Sequence, residues 1–158
     1  MENARPDAGL FLDDLRVGQR FVSGTVTLDE SMIRTFAAAF DPQPFHLDDA
    51  AAKASLFGGL AASGWHTAAL TMRLLVDGGV PLAGGIIGAR GEIAWPRPTR
   101  PGDVLSVETE VLAITPSSSR SDRGTAIMRS ETRNHHGEVV QSFTMTLVVP
   151  RRPSPAAS

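Results

Sequence analysis

Apolar positions along the chain change their spacing near Gly84. Before it, they recur at helical intervals. Met32, Ile33, Phe36, Ala37 and Phe40 mark one apolar face and predict an amphipathic helix. Thr27 and Glu30 fit a capping box at its start. Pro42 bars Asp41 from helical geometry, so this helix should end near Phe40. Asp48 or Asp49 is placed to cap a short helix, AAAKASLF, which Gly58 and Gly59 should stop. A longer helix follows, with Ser63 as N-cap and Gly78 as C-cap. It is apolar nearly all round, through Trp65, Ala68, Ala69, Leu70, Met72, Leu74, Leu75 and Val76. That pattern predicts a buried helix. Its roughly 14 residues would span about 21 Å, the width of a small sheet.

After Gly84 the period is two. IIGARGEIAWP, VLSVETEVLAI, GTAIMRSETRN and EVVQSFTMTLVV each read as a strand. In the last, Val139, Phe143, Met145, Leu147 and Val149 should share a face. FVSGTVT, Phe21 to Thr27, predicts one earlier strand. Four strands joined by turns predict an antiparallel meander. The fold class is therefore α+β, an antiparallel sheet wrapped around a long central helix. The 158 residues suit one domain. Its expected bounds are 11–150, between a flexible N-terminus, 1–10, and a flexible tail, 151–158, rich in Pro, Ser and Ala.

Composition narrows the chemistry. Hydrophobic residues make up 42% and charged residues 20%, values of an ordinary globular protein. The net charge of −2 argues against a nucleic-acid partner. No apolar run is long enough to span a bilayer. The first residues, MENARPDAG, do not read as a secretory signal, so the expected location is cytoplasmic. With no cysteine and no tyrosine, thiolate and phenol chemistry are excluded.

The stretch FDPQPFHLDD holds Asp41 and His46 in a loop pinned by Pro42 and Pro44. A carboxylate and an imidazole so placed can bind one water and move its protons. The plain alternative makes Asp41 a loop cap and His46 an exposed loop residue. Ser63-Gly64-Trp65 opens the long helix, where free N–H groups can receive an oxyanion. The plain alternative there is an N-cap beside a small packing residue. Ser63 lacks the G-x-S-x-G elbow of a nucleophile, because Ala61 and Trp65 fill the glycine positions. His66 can line a site or simply pack. His135 and His136 fall in a hairpin turn and should face solvent. His46, Asp48 and His66 lack the spacing of a known metal motif. Arg97 and Arg100, in WPRPTRPGD, can meet a phosphate or remain solvated.

FDPQPFHLDDAAAKASLFGGLAASGWHT resembles the signature region of the MaoC-like dehydratase family, the hydratase-2 branch of the hot-dog fold. DDLRVGQRF upstream and PTRPGDVL downstream are also similar to family stretches. The resemblance runs from Phe11 to Val149. It implies a hot-dog fold, with the long helix inside the sheet. It implies reversible addition of water to a trans-2-enoyl thioester, giving a (3R)-3-hydroxyacyl thioester. By match, Asp41 and His46 activate the water, and the Gly64 N–H polarises the thioester carbonyl. Gln43, Pro44, Phe45, Ser63, Trp65, His66, Arg97 and Arg100 are the expected substrate-binding residues. The expected partner is an acyl-CoA or acyl-pantetheine substrate, whose phosphates would meet Arg97 or Arg100. No metal, organic cofactor, nucleic acid or membrane is expected. A homodimer or higher homo-oligomer is. The family often carries asparagine where this chain has Gln43, a difference of one methylene. A hot-dog thioesterase and a non-catalytic acyl-CoA-binding domain are the alternative readings.

Overall fold

The computed structural model describes residues 9–155. Its strands are β1 (Arg20–Thr27), β2 (Gly88–Ala94), β3 (Val104–Pro116), β4 (Arg123–Arg133) and β5 (Val139–Pro150). They form one antiparallel sheet in the order β1-β3-β4-β5-β2. Only β3, β4 and β5 make the expected meander. β2 instead pairs with β5, and β1 takes the open edge of β3. The physical reason lies in the link after β2. It carries Pro96, Pro98 and Pro101 and is too long for a tight hairpin.

Alternation decides the faces. In β3, Leu105, Val107, Thr109 and Val111 are buried. Intervening Glu108 and Glu110 sit outside, among Arg20, Arg129 and Arg133. Such half-exposed ion pairs add little stability. In β5, Met145, Leu147 and Val149 point inward as expected. The register shifts between Thr132 and Arg133, opposite Val139–Gln141. That bulge buries Val140 and Gln141 together and takes Val139 off the shared face.

Helix α1 (Glu30–Phe40) ends where Pro42 requires. Its N-cap is Asp29, whose Oδ1 accepts the Met32 N–H at 2.8 Å. The expected Thr27 capping box does not form, because Thr27 is held in β1 opposite Val104. Ile33 and Ala37 are buried, while Phe40 is largely exposed. Helix α2 (Asp49–Lys53) is capped by Asp48 and stops short of Gly58. Ser55 Oγ bonds the Ala52 carbonyl and the Phe57 N–H, offering the backbone a turn instead of a helix.

Helix α3 (Gly64–Leu74) runs into one wide π turn, Leu75–Gly79. There Gly78 has φ of 133°, a conformation open to glycine. Leu74 and Leu75 pack on Leu105, Val107, Met128, Met145 and Leu147 of the sheet. This is the hot-dog arrangement of sheet around helix. The helix is not buried all round, however. Thr67, Thr71 and Leu74 are buried, and so is His66 against α1, whereas Trp65 is 61% and Val76 63% exposed. One chain's sheet covers only one side of α3.

The ends of the described chain meet each other. Arg151 pairs with Asp13 and Arg152 with Asp14, and the Arg151 N–H donates to the Asp122 carbonyl. Residues 1–8 and 156–158, which hold most of the expected flexible ends, lie outside the described residues. Among the described residues no helix is long and apolar enough to cross a membrane.

Candidate active site

The break after α1 brings an acid and an imidazole together. Pro44 starts a 3-10 turn, Pro44–His46, that turns His46 inward. His46 is only 3% exposed. Its Nδ1 lies 2.7 Å from the Ala61 carbonyl. A carbonyl only accepts, so Nδ1 carries a proton. Nε2 stands 3.3 Å from Asp41 Oδ2.

Asp41 is held from three sides. Ser63 Oγ donates to its Oδ2 at 2.7 Å, and Gln43 Nε2 donates to its Oδ1 at 2.6 Å. Burial pushes the Asp41 carboxyl up, but these two hydrogen bonds and His46 outweigh it and hold the group below the usual carboxylate range. Gln43 thus folds its longer side chain back onto the acid. Ser63 Oγ also accepts the Trp65 N–H at 3.3 Å, so the same hydroxyl caps α3.

Gly64 is the first residue of α3, where the helix end is positive. Among the described residues its N–H has no backbone partner. A side chain is excluded there, since a Cβ would lie 2.7 Å from the Trp95 ring. Asp41, His46 and Gly64 line one cavity of about 430 Å³. Phe45, Phe57, Trp65 and Trp95 give it aromatic walls. Thr67 and Thr99, both buried, close it from below with their hydroxyls 2.9 Å apart. The volume suits a small organic ligand.

The sequence-derived site residues separate on inspection. Gln43, Phe45, Trp65 and Arg97 line the cavity beside Asp41, His46 and Gly64. Pro44 shapes the loop, and Ser63 stands behind Asp41; neither lines the cavity. His66 faces away. It stacks on Phe36 at 4.5 Å and lines a separate hollow with Phe40. Burial pushes its pKa down, and its Nδ1 has no partner among the described residues. Arg100 is not a free cation for phosphate. Its guanidinium bonds the carbonyls of Phe57, Gly59 and Leu60, tying down the loop before α3. Arg97 stays at the rim, 3.0 Å from Glu138. His46 and His66 line different hollows and Asp48 caps α2, so these three do not converge on a metal. His135 and His136 are exposed, as their turn predicts.

Sequence reasoning missed Phe57, Thr67, Trp95 and Thr99. Thr67 had a signal, for it follows Gly64 by three residues and shares its helix face.

The fold and this site have known counterparts. The family model of the MaoC like domain matches residues 15–133. The chain belongs to the MaoC-like dehydratase family. A MaoC-like dehydratase from Rhodospirillum rubrum is 64% identical, with a TM-score of 0.91 over 92% of this chain and 100% of that one. The unliganded R-hydratase PhaJ1 from Pseudomonas aeruginosa is 27% identical, with a TM-score of 0.74 over 95% of this chain and 96% of that one. The Bacillus subtilis protein YdeM is 28% identical over 141 residues, 89% of this chain and 99% of its own. The hot-dog fold of this MaoC-like chain is therefore shared across its whole domain.

Asp41 titrates below its ordinary value of 3.8. Its bonds therefore support the fold above that pH, and the support is lost as pH falls through the folded value. Ser63→Ala removes one of those bonds. The Asp41 carboxyl should then titrate higher, as read by carbon NMR of the side chain. Loss of the helix cap should cost about 1 kcal/mol of stability at neutral pH.

Proposed function

We propose that the protein catalyses reversible hydration of a trans-2-enoyl thioester to a (3R)-3-hydroxyacyl thioester. The observation that supports this most is the placing of Asp41 Oδ2, His46 Nε2 and the Gly64 N–H around one cavity. The family match and the likeness to an R-hydratase support it further. The substrate carbonyl rests on the Gly64 N–H. Water binds beside both Asp41 and His46 and gives a proton to Nε2 of the neutral imidazole. Its hydroxyl joins the β-carbon, and the alkene electron pair moves toward the carbonyl oxygen. The Gly64 N–H and the helix end stabilise that enolate charge, an effect worth about 3 kcal/mol or more for one oxyanion donor. The α-carbon takes a proton back from the acid–base pair. Ionised Asp41 steadies the imidazolium in between.

The handle is a coenzyme A or carrier pantetheine, and Arg97 is the cation at the rim that would meet its phosphates. We place the protein in the cytoplasm on the same reading. We also propose a homodimer. β2 is an edge strand with a free side, and Ile87 before it is 54% exposed. Pairing two such edges would cover them and bring the exposed side of α3 toward a second copy. Light scattering on the purified protein should give twice the chain mass. A single chain mass would overturn the dimer.

The activity is tested by following the absorbance of enoyl-CoA with the purified protein and with Asp41→Asn and His46→Ala. Absorbance should fall, and the product should gain the mass of one water. Each variant should lose about a hundredfold or more in rate. Release of free CoA would point instead to a thioesterase. Unchanged enoyl-CoA, bound but not converted, would point to a binding domain.

A further inference from the structure

Thr67 and Thr99 stand apart from the other buried threonines. Around Gln141 each threonine proton has an acceptor. Thr71 Oγ1 donates to the Thr67 carbonyl at 2.9 Å. It is therefore the acceptor toward Thr132 Oγ1, 2.6 Å away, and toward Gln141 Nε2 at 3.0 Å. The Thr67–Thr99 pair leaves one proton over. Two hydroxyls carry two protons, and their mutual contact at 2.9 Å uses one of them. A helical threonine can turn its hydroxyl back to the carbonyl four residues earlier, as Thr71 does. For Thr67 that carbonyl belongs to Ser63, which already takes the N–H groups of His66 and Thr67 at 3.0 and 3.1 Å. Neither hydroxyl of the pair makes a second hydrogen bond among the described residues.

Both residues line the cavity of Asp41 and His46 and are buried as deeply as His46 itself. Thr67 follows Gly64 by three residues on one face of α3, about 4.5 Å further along the axis. Arg97, at the rim of the same cavity, stands 3.0 Å from Glu138, and Asp41 adds a carboxylate. An anionic group near the pair would meet no free cation lining the cavity. A neutral oxygen would meet a donor.

We propose that Thr67 and Thr99 form a specificity site for a neutral oxygen, a hydroxyl, carbonyl or ether, carried by the acyl group of the thioester. The inference rests on the hydration reading above. With the thioester carbonyl on the Gly64 N–H and the handle leaving past Arg97, the pair lies on the acyl side, a few bonds beyond the double bond. The spare O–H donates to the acyl oxygen. An all-hydrocarbon chain would exclude water from the pair and leave that O–H without an acceptor, which is costly.

The test uses two substrates that differ by one oxygen in place of one methylene, trans-4-methoxybut-2-enoyl-CoA and trans-2-hexenoyl-CoA. Each is assayed for kcat/KM, and binding of their saturated counterparts is measured by calorimetry, which requires no turnover. Wild type should prefer the ether by about tenfold or more in both readouts. Thr67→Val combined with Thr99→Val removes both hydroxyls at nearly constant volume and should bring the ratio to about one. Thr67→Ser combined with Thr99→Ser keeps both hydroxyls and should keep the preference. Each single valine variant leaves one hydroxyl to donate and should fall between. A wild type indifferent to the oxygen would overturn the proposal. So would equal losses on both substrates in the double valine variant, the mark of a merely structural pair. A binding preference without any turnover would sink the hydration reading and leave the oxygen site standing. Turnover with no preference would do the reverse. If neither saturated thioester binds, the oxygen site falls as well.

Discussion

One hydroxyl joins the two segments that make the site. Ser63 Oγ donates to Asp41 and accepts from the Trp65 N–H. The first bond fixes the loop after α1; the second caps α3. Because both involve the same oxygen, the acid and the helix end keep one spacing. His46 is held to the same frame from the other side, through the Ala61 carbonyl two residues before Ser63. Arg100 completes the frame by gathering the carbonyls of Phe57, Gly59 and Leu60. A loop that would otherwise carry free backbone acceptors is thereby satisfied. Asp41, His46 and the start of α3 are thus placed by hydrogen bonds within the chain itself, the kind of fixed polar frame that electrostatic preorganisation requires.

The interior under α3 is more polar than a minimal core would need. Thr67, Thr71, Thr99, Thr132 and Gln141 are all buried and all bonded to one another or to Trp95. Apolar residues of equal size would pack there without the cost of desolvating hydroxyls and an amide. What the polar choice adds is direction, since a satisfied network has one arrangement. That direction reaches the cavity wall through Trp95. On the far side of the helix the reverse holds: Trp65 and Val76 remain exposed on a single chain.

The helix break was the most legible feature, because proline chemistry is local. Pro42 and Pro44 dictate where α1 stops and how His46 turns, whatever the remainder of the chain does. The face of β5 beyond its bulge, with Met145, Leu147 and Val149 inward, was legible for the same reason, since period two depends only on neighbours along the strand. Strand order was not. Whether β2 pairs with β3 or with β5 depends on what else competes for the β3 edge, and β1 wins it. The place of Arg100 was not legible, because a charge in a loop gives no hint that three carbonyls await it. His66, for which lining and packing were both open, lies off the cavity, as helix geometry argues. Two residues after Gly64 it points to the opposite side of α3, while Thr67 returns to the same face. Gln141 was invisible, because the bulge that buries it arises from pairing with β4.

The most direct measurement is a crystal structure of Asp41→Asn with an enoyl thioester bound. Hydration at this site predicts the thioester carbonyl oxygen about 2.7–3.2 Å from the Gly64 nitrogen, with the β-carbon turned toward residue 41 and His46. A carbonyl oxygen held elsewhere, or a thioester lying outside the cavity of Asp41 and His46, would contradict it.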